Sequence, residues 1–179
     1  MIGIDEVGRG AIAGPLLVCA VRLHGEVLGL RDSKLLTKNR RQLLAQQVYK
    51  HADIGYGWVS ADEIDDIGLS KSLVLATAKA LEELNPIDSE EVIIDGNINF
   101  APSLNSKIII KADQTIPAVS AASIVAKVTR DAFMVDLSKK YPGYDFEKHV
   151  GYGTKQHMLL IKKLGLLEIH RKSFKIKST

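Results

Sequence analysis

The sequence predicts an α/β domain built on a mixed sheet, and three observations carry that prediction. Short aliphatic runs alternate with stretches whose apolar residues recur at helical spacing. One long helical stretch, from Pro117 to about Lys140, is full of small residues (Ala118, Ala121, Ala122, Ala126) and can lie close against a sheet. Acids stand at the ends of aliphatic runs, where α/β sheets usually place their sites.

The elements follow in order. Residues 1–5 read as a short strand entering a Gly-rich turn, and Pro15 to Leu23 as a second, central strand. Thr37 caps a helix to about Lys50 with Leu43, Leu44 and Val48 inward. Ile54 to Val59 is a third strand, followed by a short acidic helix over Ser60 to Asp66. Ser70 reads as the N-cap of a longer helix, with Leu69 and Val74 at the spacing of a hydrophobic staple. Its inner face is Leu73, Ala76, Ala80, Leu81 and Leu84, and Asn85-Pro86 ends it. Glu91 to Asp95 and Lys107 to Lys111 are two more strands, and the helix opened by Pro117 comes next. Thr154 caps a last helix that Gly165 ends.

The chain has 179 residues, 46% of them hydrophobic and 25% charged, which suits one domain over 1–179 with a sizeable core. No apolar run reaches the roughly 18 residues of a membrane span. No basic segment precedes Gly3 and Asp5 as in a signal peptide, and Cys19 is alone in apolar surroundings, so it reads as a core residue. A cytoplasmic protein is the expectation. The net charge of +3 is uneven: Gly151 to Thr179 holds seven Lys or Arg against one acid, Glu168. This basic helix and tail, from about 152 to 179, can neutralise phosphates or can simply be a solvated, frayed end.

Four acids draw the chemistry. Asp5-Glu6 precede Val7-Gly8-Arg9-Gly10, Asp95 ends Val92-Ile93-Ile94, and Asp113 follows Ile108-Ile109-Ile110. Carboxylates brought together repel unless a cation lies between them, and hard divalent cations take oxygen ligands. No His-Cys cluster suggests zinc. Taken singly, Asp95-Gly96 is also an ordinary turn and Asp113 an ordinary loop acid. Adjacent strand residues point to opposite faces, so Asp5 and Glu6 are expected to share a site only if the strand ends between them.

The chain resembles the ribonuclease HII family. The similarity runs through Gly3-Ile4-Asp5-Glu6-Val7-Gly8-Arg9-Gly10, Asp32-Ser33-Lys34, Ile94-Asp95-Gly96-Asn97, Lys111-Ala112-Asp113, the stretch 120–131, His149-Val150-Gly151-Tyr152-Gly153-Thr154 and His170-Arg171-Lys172-Ser173-Phe174, in family order. The resemblance implies a ribonuclease H-like fold with a mixed five-stranded sheet flanked by helices. It implies an endonuclease that cleaves the RNA strand of RNA–DNA hybrids and nicks 5′ of single ribonucleotides in duplex DNA, leaving 3′-hydroxyl and 5′-phosphate ends, as in ribonucleotide repair. It implies Asp5, Glu6, Asp95 and Asp113 as ligands of two Mg²⁺ or Mn²⁺ ions. Gly8, Arg9 and Gly10 would sense the 2′-hydroxyl, Tyr152 would pack on the sugar, and Ser33 and Lys34 would contact phosphate. Ser123 and Lys127, four apart, can share a helix face toward substrate, though helix packing explains Ser123 as well. A monomer acting on nucleic acid, without a membrane, is expected.

His149, His157 and His170 are not assigned as general bases, because the acids suffice. Asp131 is read as half of a structural Arg130–Asp131 pair. Val150 stands where many relatives carry Lys, which removes one phosphate contact. The lack of an N-terminal platform argues against ribonuclease HIII. Two rivals remain: another ribonuclease H-like nuclease, such as a resolvase or a type 1 ribonuclease H, and a non-catalytic nucleic-acid-binding domain.

Overall fold

A computed structural model describes residues 1–30, 36–102 and 104–174. Five strands form one mixed sheet in the order β3-β2-β1-β4-β5. They are β1 (Ile2–Val7), β2 (Leu16–Leu23), β3 (Ala52–Val59), β4 (Val92–Asp95) and β5 (Ser106–Ile109). β1, β2 and β3 are antiparallel neighbours, while β4 and β5 run parallel to β1. The helices are α1 (Lys38–His51), α2 (Ala61–Ile67), α3 (Leu69–Leu84), α4 (Pro117–Lys140), α5 (Phe146–His149) and α6 (Lys155–Leu164). The mixed five-stranded sheet with flanking helices is the one expected.

Two apolar layers sandwich the sheet. On one face Ile2, Ile4, Leu16 and Val18 pack with Leu73, Ala76, Ala80 and Leu84 of α3. On the other, Val7, Leu17, Cys19 and Val21 pack with Ala121, Ala122 and Val125 of α4. The small residues of α4 permit the close approach anticipated: a Cβ at Gly3 would lie 2.2 Å from the Ala118 carbonyl carbon. β3 meets α3 in the same way, since a Cβ at Gly57 would lie 1.7 Å from the Ala76 carbonyl oxygen. The nearest approach of backbone to backbone thus lies where glycine leaves room.

Several local expectations hold. Thr37 and Thr154 accept from Arg40 N and His157 N, and Asn85 closes α3 in the left-handed region. Ser60 and Glu63 form a reciprocal capping box on α2. Ser70 does not cap α3. The cap is Gly68, two residues earlier, and Val74 is exposed, so there is no staple. Leu43 of α1 also faces water, with Ala45 buried instead. β5 is an edge strand, which leaves Ile108 exposed where a central strand would bury it, and it ends at Ile109, so Ile110 lies exposed in the turn beyond. As far as Phe174 the basic C-terminal segment is not a frayed end: His170 bridges to Ala13, and Arg171 is buried. Lys175 and Lys177 lie outside the described residues.

Candidate active site

β1 brings Asp5 and Glu6 to the rim of the sheet. Its residues alternate, with Gly3 and Val7 against α4 and Ile2 and Ile4 against the α3 layer. Asp5 therefore faces α4, and Glu6 belongs to the opposite face. The expected break between them does not occur, because pairing with β2 runs unbroken to Val7↔Leu17. The strand ends on its other side only. Pairing with β4 stops at Ile4↔Ile94, one residue before Asp5 and Asp95. β1 thus has an open edge beside Asp95, and carboxylates from both faces reach that edge.

The remaining acids converge on the same edge. Asp95 is the last residue of β4, and its Oδ1 accepts the Ala112 N–H at 2.7 Å. Asp113 lies in a single 3₁₀ turn, Ala112–Gln114, entered through Lys111 in the left-handed region. The Ser120 hydroxyl of α4 donates to the Asp113 carbonyl at 2.5 Å and ties that turn to the helix. One carboxylate oxygen each from Asp5, Asp95 and Asp113 lies within 4.8 Å of the other two. Glu6 is outside this set, but with Asp5 it lines an adjoining cavity of about 250 Å³.

The electrostatics of this cluster are unfavourable for the protein alone. Burial, then the charges of Glu6 and Asp95, push the Asp5 carboxyl up to about 8, against a hydrogen bond from Ser123. Burial and Asp95 also raise Glu6, while Arg9, at 3.4 Å, opposes the rise. A divalent cation among these oxygens would reverse both effects. The donor set of hard, mostly buried oxygens fits Mg²⁺ or Mn²⁺.

The rest of the cavity is the turn Gly8-Arg9-Gly10, with Arg41, Ser123, Lys127 and Tyr152. Gly8 has φ +85°, and a Cβ there would meet the Arg130 Nε at 2.3 Å. Gly10 has open space at its Cα, which leaves room for a ligand. Tyr152 bridges to Ala11, and its ring lies 5.6 Å from the Arg130 guanidinium carbon and 5.7 Å from Lys127 Nζ. Lys127 pairs with Asp131 at 2.8 Å. The expected Arg130–Asp131 pair is not formed. Arg130 is fully buried and donates to the carbonyls of Pro15, Ala13 and Val150. Ser33 and Lys34 lie outside the described residues.

The three histidines lie behind Tyr152 and form one network. Gly151 N–H donates to His149 Nδ1, so His149 carries its proton on Nε2, facing the Tyr144 carbonyl. His157 Nδ1 lies 3.0 Å from the Tyr152 carbonyl and must carry a proton. Leu167 N–H donates to His170 Nδ1, leaving His170 Nε2–H to donate to His157 Nε2 at 3.1 Å. These bonds are satisfied with all three rings neutral. Burial holds all three below the usual range, His157 at about 4. They support the Tyr152 loop rather than face the acids.

Sequence reasoning gave no functional role to Arg41, Arg130 or Arg171. For Arg130 a signal existed, since Ser123, Lys127 and Arg130 recur at helical spacing. Arg171 stands within the matching block His170 to Phe174, and Arg41 had no signal.

The family model described as Ribonuclease HII matches residues 2–177. The chain belongs to the ribonuclease HII family. It is 45% identical over 178 residues to the Ribonuclease HII of Sulfurovum sp. (strain NBC37-1), covering 99% of this chain and 92% of that protein. The ribonuclease HII in the PCNA:RNase HII complex from Archaeoglobus fulgidus superposes with a TM-score of 0.82 at 27% identity, over 96% of this chain and 91% of that one. Bst-RNase HIII in complex with Mn²⁺ shares the fold, with a TM-score of 0.74 at 20% identity over 98% of this chain and 67% of that one. The chain has the ribonuclease H-like fold and is an endonuclease of a family that acts on RNA–DNA substrates and uses divalent metal ions. Both rival readings, a different ribonuclease H-like nuclease and a non-catalytic binder, fall with that assignment. No helix among the described residues is long and apolar enough to cross a membrane.

Proposed function

We propose that the protein nicks on the 5′ side of ribonucleotides, in hybrids and singly within duplex DNA, leaving a 3′-hydroxyl and a 5′-phosphate. The observation that carries this reading is the meeting of Asp5, Asp95 and Asp113 next to a cavity lined by Gly8, Gly10 and Tyr152. Asp5 belongs to both the acid cluster and the cavity, so the reacting phosphate and the sugar beside it would be read together. Asp5, Glu6, Asp95 and Asp113 would hold two Mg²⁺ or Mn²⁺ ions. Such a pair, typically about 3.5–4 Å apart, activates water and stabilises the leaving oxygen.

The chain's own groups orient the acids. Ser123 holds Asp5, the Ala112 amide holds Asp95, and Ser120 anchors the turn of Asp113. Exposed amides of the Gly8-Arg9-Gly10 turn would donate to the 2′-hydroxyl, the group that separates RNA from DNA at one position. The Tyr152 ring would pack on the sugar. Lys127 and the basic C-terminal segment would meet phosphates, Lys127 after exchanging Asp131 for the substrate. Ser33 and Lys34 would add a further phosphate contact. The protein would act as a single domain and a monomer in the cytoplasm, in ribonucleotide removal from DNA.

The test is a duplex DNA carrying one ribonucleotide, incubated with Mg²⁺ or Mn²⁺. A nick 5′ to that nucleotide with 3′-hydroxyl and 5′-phosphate ends is expected. An intact duplex with both metals, while an RNA–DNA hybrid is cut, would remove the single-ribonucleotide reading.

A further inference from the structure

Arg171 belongs to the basic C-terminal segment by sequence, yet its side chain is fully buried and cannot meet phosphate as an exposed lysine would. Among the described residues no carboxylate pairs with it. A buried guanidinium is costly unless its donors are used. Here they go to one loop. Nε and Nη2 donate to the Gly14 carbonyl at 3.0 and 2.9 Å, and Nη1 donates to the Arg9 carbonyl at 3.2 Å. The Arg171 N–H donates to the Ile12 carbonyl at 2.8 Å, and the Phe174 ring covers the guanidinium at 5.1 Å. One residue from the far end of the chain thus grips both ends of the 9–14 loop.

The bond to Arg9 matters most. A trans peptide is planar, with its C=O and N–H pointing in opposite directions, and no peptide of the described chain is cis. Fixing the Arg9 carbonyl toward buried Arg171 turns the N–H of Gly10, which belongs to the same peptide, away from the core. Gly10 is exposed, lines the cavity it shares with Asp5 and Tyr152, and its N–H has no acceptor among the described residues. A charged donor on the carbonyl also polarises the peptide and strengthens its N–H as a donor. Burial and Arg130 pull the Arg171 pKa down only to about 10, so the charge remains at neutral pH.

We infer that Arg171 is a positioning residue: by holding the Arg9 carbonyl it aims the Gly10 amide into the cavity, where that amide donates to the ribose 2′-hydroxyl. The inference rests on the reading that this turn senses the 2′-hydroxyl. Arg130, also fully buried, binds Ala13, Pro15 and Val150 and leaves the Arg9–Gly10 peptide alone.

The experiment compares the parent with Arg171→Lys on two duplexes of one sequence, bearing a ribonucleotide or a 2′-fluoro nucleotide at one position. Lysine keeps the charge, but its single nitrogen cannot span Arg9 and Gly14 as the fork does. With Mn²⁺ present, kcat/KM for the ribonucleotide should fall about tenfold more than for the 2′-fluoro duplex, through kcat, with KM and Mn²⁺ affinity retained. Equal loss on both duplexes, or no loss, overturns the role of Arg171. A parent that does not distinguish the two duplexes removes the sensing reading instead, and the inference with it. Should the variant not fold, amide-proton exchange at Gly10 in the Asp95→Asn protein decides. Fast exchange in the free protein, slowed by the ribonucleotide duplex and not by all-DNA duplex, is expected. Protection already present in the free protein overturns the proposed orientation, and an amide left open by both duplexes removes the sensing reading.

Discussion

Asp95 is held by a bond that a neutral side chain can reproduce. Its Oδ1 accepts the Ala112 N–H at 2.7 Å, and the oxygen of an asparagine amide can accept the same donor. Asp95→Asn should therefore fold as the parent does while removing one charge from the cluster with Asp5 and Asp113. Cleavage should fall by about 10³-fold, the factor that several kcal/mol of lost metal-ion stabilisation implies. Binding of a ribonucleotide-bearing duplex should be unchanged or tighter, because a negative charge near phosphate has gone. Nicking assays and duplex titration by fluorescence anisotropy measure the two sides. Parent-like cleavage by the variant would show that Asp95 is not a ligand. At this same scale Gly8 and Gly10 differ in kind: Gly8 is glycine because Arg130 occupies the place of a Cβ, whereas the space at Gly10 is open to ligand.

At the scale of elements, the loop from α5 to α6 depends on histidines that must stay neutral. Protonating His157 would set an N–H against the N–H of His170 across 3.1 Å. Unfolded histidines titrate near 6.5, and all three are held lower in the fold, His157 at about 4. Between those values the unfolded chain binds more protons, so stability rises with pH there. It is complete above about 6.5 and is lost as pH falls toward 4. Asp5 works in the opposite sense, so the measurement belongs in Asp5→Asn without metal. Urea unfolding at pH 7 and pH 5 should show a clear loss at the lower pH; equal stability would mean that the network does not hold these rings neutral. Nothing in the sequence disclosed this network. Its members are up to 21 positions apart, and only the fold stacks His149 on His157 at 4.0 Å. The strands and the longer helices were legible, because Leu73, Ala76, Ala80 and Leu84 keep helical spacing and Val92-Ile93-Ile94 is a buried strand, whereas the single turn of α5 was not. Boundaries failed where backbone, not side chain, made the cap, as at Gly68. Asp95 was legible as a strand-end residue, whereas Asp113 lies in a 3₁₀ turn beyond β5, and the way Asp5 and Glu6 meet was not legible. A one-sided end to strand pairing depends on where β4 stops, which β1 does not encode.

For the whole molecule, the acid cluster couples stability to pH and to metal. Metal-free, Asp5 titrates at about 8 in the fold and near 3.8 unfolded. Across that interval the folded state holds a proton that the unfolded state has lost, so stability contributed at low pH drains away as pH rises through 8. A bound divalent ion displaces that proton, and its affinity must then rise with pH until Asp5 is ionised. The thermal shift produced by a fixed Mn²⁺ concentration should therefore grow from pH 6 to about 8.5 and flatten beyond it, since stabilisation follows the ratio of ligand to its dissociation constant. Asp5→Asn has no proton to release at this position and should show a small shift with little pH dependence. A shift in the parent that is equal at pH 6 and pH 8.5 would mean that the ion does not displace a proton from Asp5, and the coupling between the buried acid and the metal would have to be abandoned.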